Sequence, residues 1–230
     1  MNDHCEISVI IPVLNEAANI NGLISHLRSL APVDTVEIII VDGDPAGSTI
    51  KAISHPAVTH AVSNAGRGIQ MNRGASLASG DILLFLHADT LLPKNAFMLI
   101  RDAFRDAACL AGCFQLGIRS DQAVFRITER YVSLRTRMTR IPFGDQAIFF
   151  KRDYFERIGG FREIPIMEDV DLMRRVRSHG DVICILPEQV STSARRWERE
   201  GILFTTFRNW MLQALYCCGV RPERLVRFYH

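Results

Sequence analysis

The chain has 230 residues, with 27 lysines and arginines against 25 aspartates and glutamates, a net charge of +2 and 48% hydrophobic residues. Disorder requires low hydrophobicity and high net charge, so that class is excluded, and the length allows one large domain or two small ones, each able to bury a core. Cys5, Cys109, Cys113, Cys184, Cys217 and Cys218 follow no CxxC spacing, and a chain of this size does not depend on disulfide staples, so all six are expected to be reduced thiols in a cytoplasmic protein.

The opening MNDHCE has no basic region, and Pro12 interrupts the first apolar run, so no secretory signal is expected. Residues 7–13 (ISVIIPV) and 36–41 (VEIIIV) are β-branched runs of strand length on either side of a segment, 16–30, with helical periodicity. This is a βαβ unit. A third buried strand is expected at 81–86, preceded by a helix at 70–78 and followed by one at 93–107, where Pro93 suits a first helical turn. Strands that read as continuous apolar runs between helices predict a mainly parallel α/β sheet covered on both faces.

Beyond residue 110 the pattern mixes: strands at 109–118 and 146–151, a basic helix at 121–138, and a helix at 168–179 closed by Gly180. Residues 202–216 form a further apolar helix with Thr205, Asn209 and Gln213 as one polar stripe. Arg208, Asn209 and Gln213 make it a poor membrane span. No repeat or linker divides the chain. The expected organisation is a domain over residues 1–200 and a helical extension over 201–230, packed on that domain or on a partner. Packing within the chain or a homodimer is expected over peripheral membrane contact, because Phe204, Phe207 and Trp210 have no dense flanking cationic face along the sequence.

In a parallel sheet the ligand lies outside the carboxyl ends of the strands, which singles out residues 12–16, 42–44 and 87–89. The first strand is followed by PVLNEA, without the glycines of a dinucleotide site, and no GxxxxGK[ST] occurs anywhere, so an NAD enzyme or P-loop enzyme is not expected. The opening SVIIPVLNE, residues 8–16, together with VDGD at 41–44, GST at 47–49, AGRGIQMNRG at 65–74 and LHAD at 86–89, resembles the family 2 glycosyltransferases. The match runs from about residue 7 to 197. It implies the GT-A fold, a Rossmann-like nucleotide-sugar-binding sheet, and an inverting, non-processive transfer of one sugar from a nucleotide-diphosphate donor, UDP-linked by expectation, to a small or lipid-linked acceptor.

By that resemblance Pro12, Asn15, Glu16, Asp42 and Gly43 border the base and ribose, with Asp42 accepting a nucleobase N–H or, alternatively, only opening a turn with Gly43. Arg67 offers a planar fork to diphosphate oxygens, or makes a surface ion pair. Asp89 occupies the place of the last acid of the family's DxD, whose first acid is here His87. Asp89 and His87 are the candidate ligands of a divalent cation, Mn²⁺ or Mg²⁺, with a strand-end core histidine the other reading of His87. MEDVDL, residues 167–172, is similar to the family's acceptor-side acidic element, which makes Asp169 the base for the acceptor hydroxyl and Glu168 its orienting neighbour. Gly144, Asp145 and Gln146 are expected on the acceptor side. Arg196 and Trp197 join them, because RRW at 195–197 is similar to the end of the QxxRW signature of processive synthases, although Ser193 stands at the glutamine position.

Two rivals follow from the same residues. A nucleotidyltransferase would want a basic glycine-rich loop after the first strand, and a catalytically degenerate nucleotide-sugar-binding module would fit the incomplete DxD.

The small net charge hides an asymmetry. Residues 1–50 hold seven acids and one base, residues 119–140 hold six arginines and two acids, and the chain from Arg195 on holds seven arginines and three acids. The arginine-rich segments belong to no nucleic-acid-binding module, and nucleic acid is not an expected partner.

Overall fold

Continuous burial of β-branched residues sets the centre of the molecule. The computed structural model describes residues 5–31 and 35–228, and in it β1 (Ile7–Val13) pairs in parallel with β2 (Val36–Asp42), which pairs in parallel with the edge strand β3 (Thr59–Val62). On its other side β1 pairs in parallel with β4 (Ile82–Phe85). Pro12 stands beyond Ile10, the last β1 residue paired with β4, so its missing N–H interrupts no bond to that neighbour.

Alternation along β1 divides the core. Ile7, Val9, Ile11 and Val13 face α1 (Ile20–Leu30) and α3 (Ala96–Arg105), whereas Ile10 faces α2 (Arg67–Leu77) and two helices contributed from later in the chain. In α1 the buried residues Ile20, Leu23, Ile24 and Leu27 recur at the helical period, which is why the segment is a helix and why it lies on the sheet. On the opposite face Phe85 packs edge-on against Phe161 at 4.9 Å and lies 5.1 Å from Phe155, ring contacts worth roughly 1 kcal/mol each beyond burial.

Past β4 the sheet becomes mixed. A two-residue strand β5 (Thr90–Leu91) lies at the far edge, and β6 (Cys109–Arg119) leads through α4 (Ala123–Thr139) to β7 (Phe149–Lys151), which inserts antiparallel between β4 and β6. Helices α5 (Arg152–Arg157) and α6 (Glu168–Ser178) precede β8 (Val182–Ser193), which runs parallel to β6 and antiparallel to β5. The full order is β3-β2-β1-β4-β7-β6-β8-β5. The expected parallel unit is therefore one half of an eight-stranded mixed sheet.

The chain closes with α7 (Arg195–Glu200), α8 (Ile202–Cys217) and α9 (Pro222–Leu225), and among the described residues no helix is long and apolar enough to cross a membrane. Leu212 and Leu225 pack with Ile166, and Tyr216 donates its hydroxyl to Asp171 of α6 at 3.2 Å. One expectation is corrected here. Cys109 on β6 and Cys184 on β8 are joined by a disulfide, with Cα atoms 6.0 Å apart on neighbouring strands, so they are not reduced thiols in this structure. Cys5, Cys113, Cys217 and Cys218 are free.

Candidate active site at the carboxyl edge of the sheet

The first wall of the site is a set of loops held by buried polar groups. Asp42, at the end of β2 and 0% exposed, accepts the backbone N–H groups of Asp44 at 3.0 Å, Thr49 at 2.9 Å and Ile50 at 3.3 Å. A carboxylate so enclosed offers no face to a nucleobase, which corrects the expected contact: Asp42 shapes the 44–50 loop instead. Thr49 then accepts the N–H of Glu16 at 3.1 Å, tying this loop to the turn after β1, where Asn15 adopts a left-handed φ of 59° and leaves its side chain exposed. Pro12 and Glu16 are half-buried beside it, and Glu16 meets Arg195 at 3.7 Å.

Gln70 braces the two strand ends. Its Nε2 donates to Val13 O and Val41 O, both at 2.8 Å, and a Cβ on Gly43 would stand 3.1 Å from its side chain, so Gly43 is where the brace passes closest to the loop. Removing the amide would take one hydrogen bond from each carbonyl, about 1 kcal/mol apiece, and Val13 O would keep the N–H of Gly43 at 2.9 Å.

The second wall gathers the charged groups. His87 and Asp89 follow β4; Gly144 and Asp145 lie in a one-turn 3₁₀ segment before β7; Glu168 and Asp169 open α6; and Arg67 opens α2. The N–H of Gly144 donates to Asp169 Oδ2 at 2.6 Å, and the N–H of Val170 donates to Asp169 Oδ1 at 2.7 Å. A Cβ at position 144 would lie 2.8 Å from His87 Nε2 and 3.2 Å from Asp169 Oδ2, so only glycine permits this approach without displacing one of them. The start of α6 is fixed by Asp171, which accepts Arg162 Nη1 at 3.1 Å and Arg175 Nε at 2.9 Å besides the Tyr216 hydroxyl.

These groups feel one another. Burial and the charge of Arg67 lower the His87 pKa to about 4 against the opposing pull of Asp89 and Asp169. Asp145 is raised to about 6, first by burial and then by Asp169 and Asp89, with Arg135 and Arg67 opposing; its Oδ1 is buried without a hydrogen-bond partner. Glu168, 4% exposed, is pushed up to about 7 by burial and by Asp169, with Arg67 opposing.

The Glu168 shift has a consequence for stability. Its folded pKa lies above the ordinary carboxylate value of 4.5, so the folded state retains a proton that the unfolded chain releases, and stability falls as pH rises from about 4.5 to about 7. Glu168→Gln should therefore remove up to about 3 kcal/mol of that pH-dependent loss. Chemical denaturation of both proteins at about pH 5 and about pH 8 checks it; equal loss in parent and variant would place the proton elsewhere.

Other expected site residues lie apart from this cluster. Gln146 is 0% exposed: its Oε1 accepts Phe143 N, Thr136 Oγ1 and Arg135 Nη2 at 3.1, 3.0 and 3.1 Å, and its Nε2 donates to Phe114 O at 3.1 Å. With its hydrogen bonds made inside the protein, it joins α4 to β6 and does not face an acceptor. Trp197 is half-buried and packs against a small core of Leu116, Ile118, Phe125 and Val132, its ring 6.0 Å from and edge-on to Phe125. Arg196 pairs with Glu200 at 3.6 Å, and it is Arg195 that reaches the site edge at Glu16. Arg135 and Gln70 are site-shaping residues that the sequence did not single out.

Known proteins resemble this chain in sequence and in fold. The sequence matches the family described as Glycosyl transferase family 2 over residues 8–162. The chain belongs to that family. It is 26% identical over 242 residues to the probable glycosyltransferase YdaM of Bacillus subtilis, covering 93% of this chain and 54% of that protein. It is also 30% identical over 101 residues to glucosyl-3-phosphoglycerate synthase of Mycobacterium tuberculosis, covering 40% of this chain and 31% of that one. The chain thus spans about half or less of these curated relatives. Among solved structures, the mannosyltransferase PcManGT of Pyrobaculum calidifontis, in complex with GDP-Man and Mn²⁺, aligns with TM-score 0.64 at 21% identity, over 81% of this chain and 56% of that one. S. aureus TarS 1–349 aligns with TM-score 0.63 at 16% identity, over 82% of this chain and 60% of that one. At such identities the likeness concerns the fold, and the fold is that of the GT-A glycosyltransferases.

Proposed function

We propose that this glycosyltransferase-family chain moves one sugar from a nucleotide-diphosphate donor to an acceptor hydroxyl, with inversion and without processive polymerisation. The observation that carries the reading is the convergence of Arg67, His87, Asp89, Asp145, Glu168 and Asp169 within one electrostatic cluster at the carboxyl edge of the sheet. Arg67, at the start of α2, would offer its guanidinium to diphosphate oxygens, and Asp169, held by two backbone amides, would accept the hydroxyl proton. Glu168, buried beside it, keeps that wall partly protonated near neutrality and limits its negative charge. The donor's base and ribose would lie against Pro12, Asn15, Glu16 and the 44–50 loop that Asp42 holds, and the acceptor would enter beside Gly144 and Asp145.

The residues fit a divalent cation bound in the manner of Mg²⁺ or Mn²⁺, through one or two carboxylates with phosphate oxygens and water. Among the described residues no three histidine, cysteine or acidic side chains enclose a cation by themselves. Asp89 would be the protein ligand, and the buried, unpartnered Asp145 Oδ1 marks the same acidic corner. A cation there supplies positive charge against the charge growing on the leaving nucleoside diphosphate. His87, packed against Gly144, fits as a wall of that corner and as a nitrogen donor toward it.

PcManGT is described with GDP-Man and TarS with UDP-GlcNAc, so the base is the open choice, with UDP the expected one. Calorimetry of UDP, GDP and CDP with Mn²⁺, with Mg²⁺ and with chelator should give binding of one diphosphate, at least about tenfold tighter with cation. Binding of none under any condition would overturn this reading, and binding without transfer to any acceptor would favour the degenerate nucleotide-sugar-binding module.

A further inference from the structure

Away from the catalytic edge, α4 and α8 present an apolar face that nothing in the described protein covers. On α4, Ile127 is 68% exposed, Leu134 59% and Met138 74%, and with Tyr131 they form a stripe at spacings of four, three and four. On α8, Phe204, Phe207 and Trp210 are 59%, 67% and 44% exposed. The two stripes are one surface, because the rings of Tyr131 and Trp210 lie 4.5 Å apart. Polarity in α8 is the reverse of an ordinary surface helix: Thr205 and Arg208 are buried, and the aromatic residues point outward.

The flank of this ridge is cationic. A cavity of about 500 Å³ runs along α4, lined by Arg126, Arg130, Arg137, Ser133, Gln115 and Gln189, and Leu134 belongs to both the cavity and the ridge. Arg126 is engaged, donating to Ile118 O at 2.6 Å and pairing with Glu129, the one acid in the lining, at 3.0 Å. Arg130 and Arg137 are exposed and make no hydrogen bond or ion pair among the described residues. The cationic face that α8 lacks along its own sequence is thus supplied by α4.

From this juxtaposition we infer that the α4–α8 face docks on an anionic membrane surface, with the aromatic ridge in the interface and a lipid phosphate held by Arg130 and Arg137 in the adjoining cavity. Charge selects this occupant, since Arg130 and Arg137 are exposed cations beside the ridge with no acidic partner among the described residues, and an anionic lipid surface supplies their counter-charge while the ridge enters the interface. A ridge of aromatic and aliphatic side chains beside basic residues is also the composition that binds membrane interfaces in proportion to its apolar area and the lipid charge. This inference does not rest on the donor reading, because none of these residues lies in the charged cluster.

Co-sedimentation of the full chain with vesicles tests it. Binding to an equal mixture of phosphatidylcholine and phosphatidylglycerol should be at least about tenfold stronger than to phosphatidylcholine alone, and should weaken as salt rises. The pair R130E/R137E and the pair M138S/F207S should each lose about tenfold or more, with thermal unfolding unchanged because all four side chains are exposed. Equal binding to both vesicle types, or binding that survives both pairs, overturns the proposal. A parent dimer that both pairs dissociate, with no vesicle binding, would instead assign the face to self-association.

Discussion

Replacing Asp169 by asparagine should cut sugar transfer by about 10³-fold while leaving nucleoside diphosphate affinity within about twofold of the parent. The expectation follows from geometry. Asp169 is held by the amides of Gly144 and Val170 at 2.6 and 2.7 Å, so its carboxylate is aimed before any acceptor arrives, and an asparagine oxygen can keep one of those bonds without providing a base. The acceptor hydroxyl must lose its proton as it attacks, and a positioned base contributes about 10²–10⁴-fold to such steps. In the proposed reading, donor binding depends on Arg67, Asp89 and the loops after β1 and β2, which the substitution leaves in place. Turnover of the preferred donor and calorimetry on the same preparation separate the two effects. A fall in donor affinity with unchanged turnover at saturation would move Asp169 out of the chemical step.

How much of this was legible in the sequence depends on how each residue is satisfied. β1 and β2 are readable because every one of their central residues is buried on both faces, which leaves an unbroken β-branched run. β3 is not, since Thr59–Val62 is a short, mostly exposed edge strand. β8 is hidden by Pro187 and a polar second half; its pairing with β6 shifts register between Cys113 and Gln115, and Phe114, passed over there, gives its carbonyl to Gln146. Asp89 and Asp169 were singled out by the short motifs they sit in, not by a lack of local partners: Asp89 Oδ1 accepts the Thr90 hydroxyl at 3.4 Å and Asp169 Oδ1 accepts the Val170 N–H at 2.7 Å. Gln146 and Trp197 misled because an amide and an indole look like ligand contacts until their internal partners are seen. Gln70 and Arg135 sit within helical stretches whose sequence does not distinguish an inward polar group from an outward one. The same ambiguity reversed α8, where Thr205 and Arg208 turn in and Phe204 and Phe207 turn out.

Losing the Asp89 side chain should fall on the donor, and only in the presence of cation. Its backbone is anchored independently, because Arg119 Nη2 donates to Asp89 O at 2.9 Å and Thr90 enters β5, where its hydroxyl meets Thr192 at 3.1 Å. Asp89→Ala therefore removes a carboxylate without releasing the loop. Affinity for the preferred diphosphate with Mn²⁺ should drop about 10²-fold, or about 2.7 kcal/mol, while parent and variant should bind alike in chelator. Arg67→Gln should weaken binding with or without cation, since a guanidinium meets phosphate oxygens directly. If both groups act on one diphosphate, as proposed, the double variant should lose less than the sum of the single losses, a coupling that disappears in chelator. Equal loss in Asp89→Ala with Mn²⁺ and with chelator would mean that the carboxylate holds the donor without a metal, and the cation would then have no place in the leaving-group chemistry.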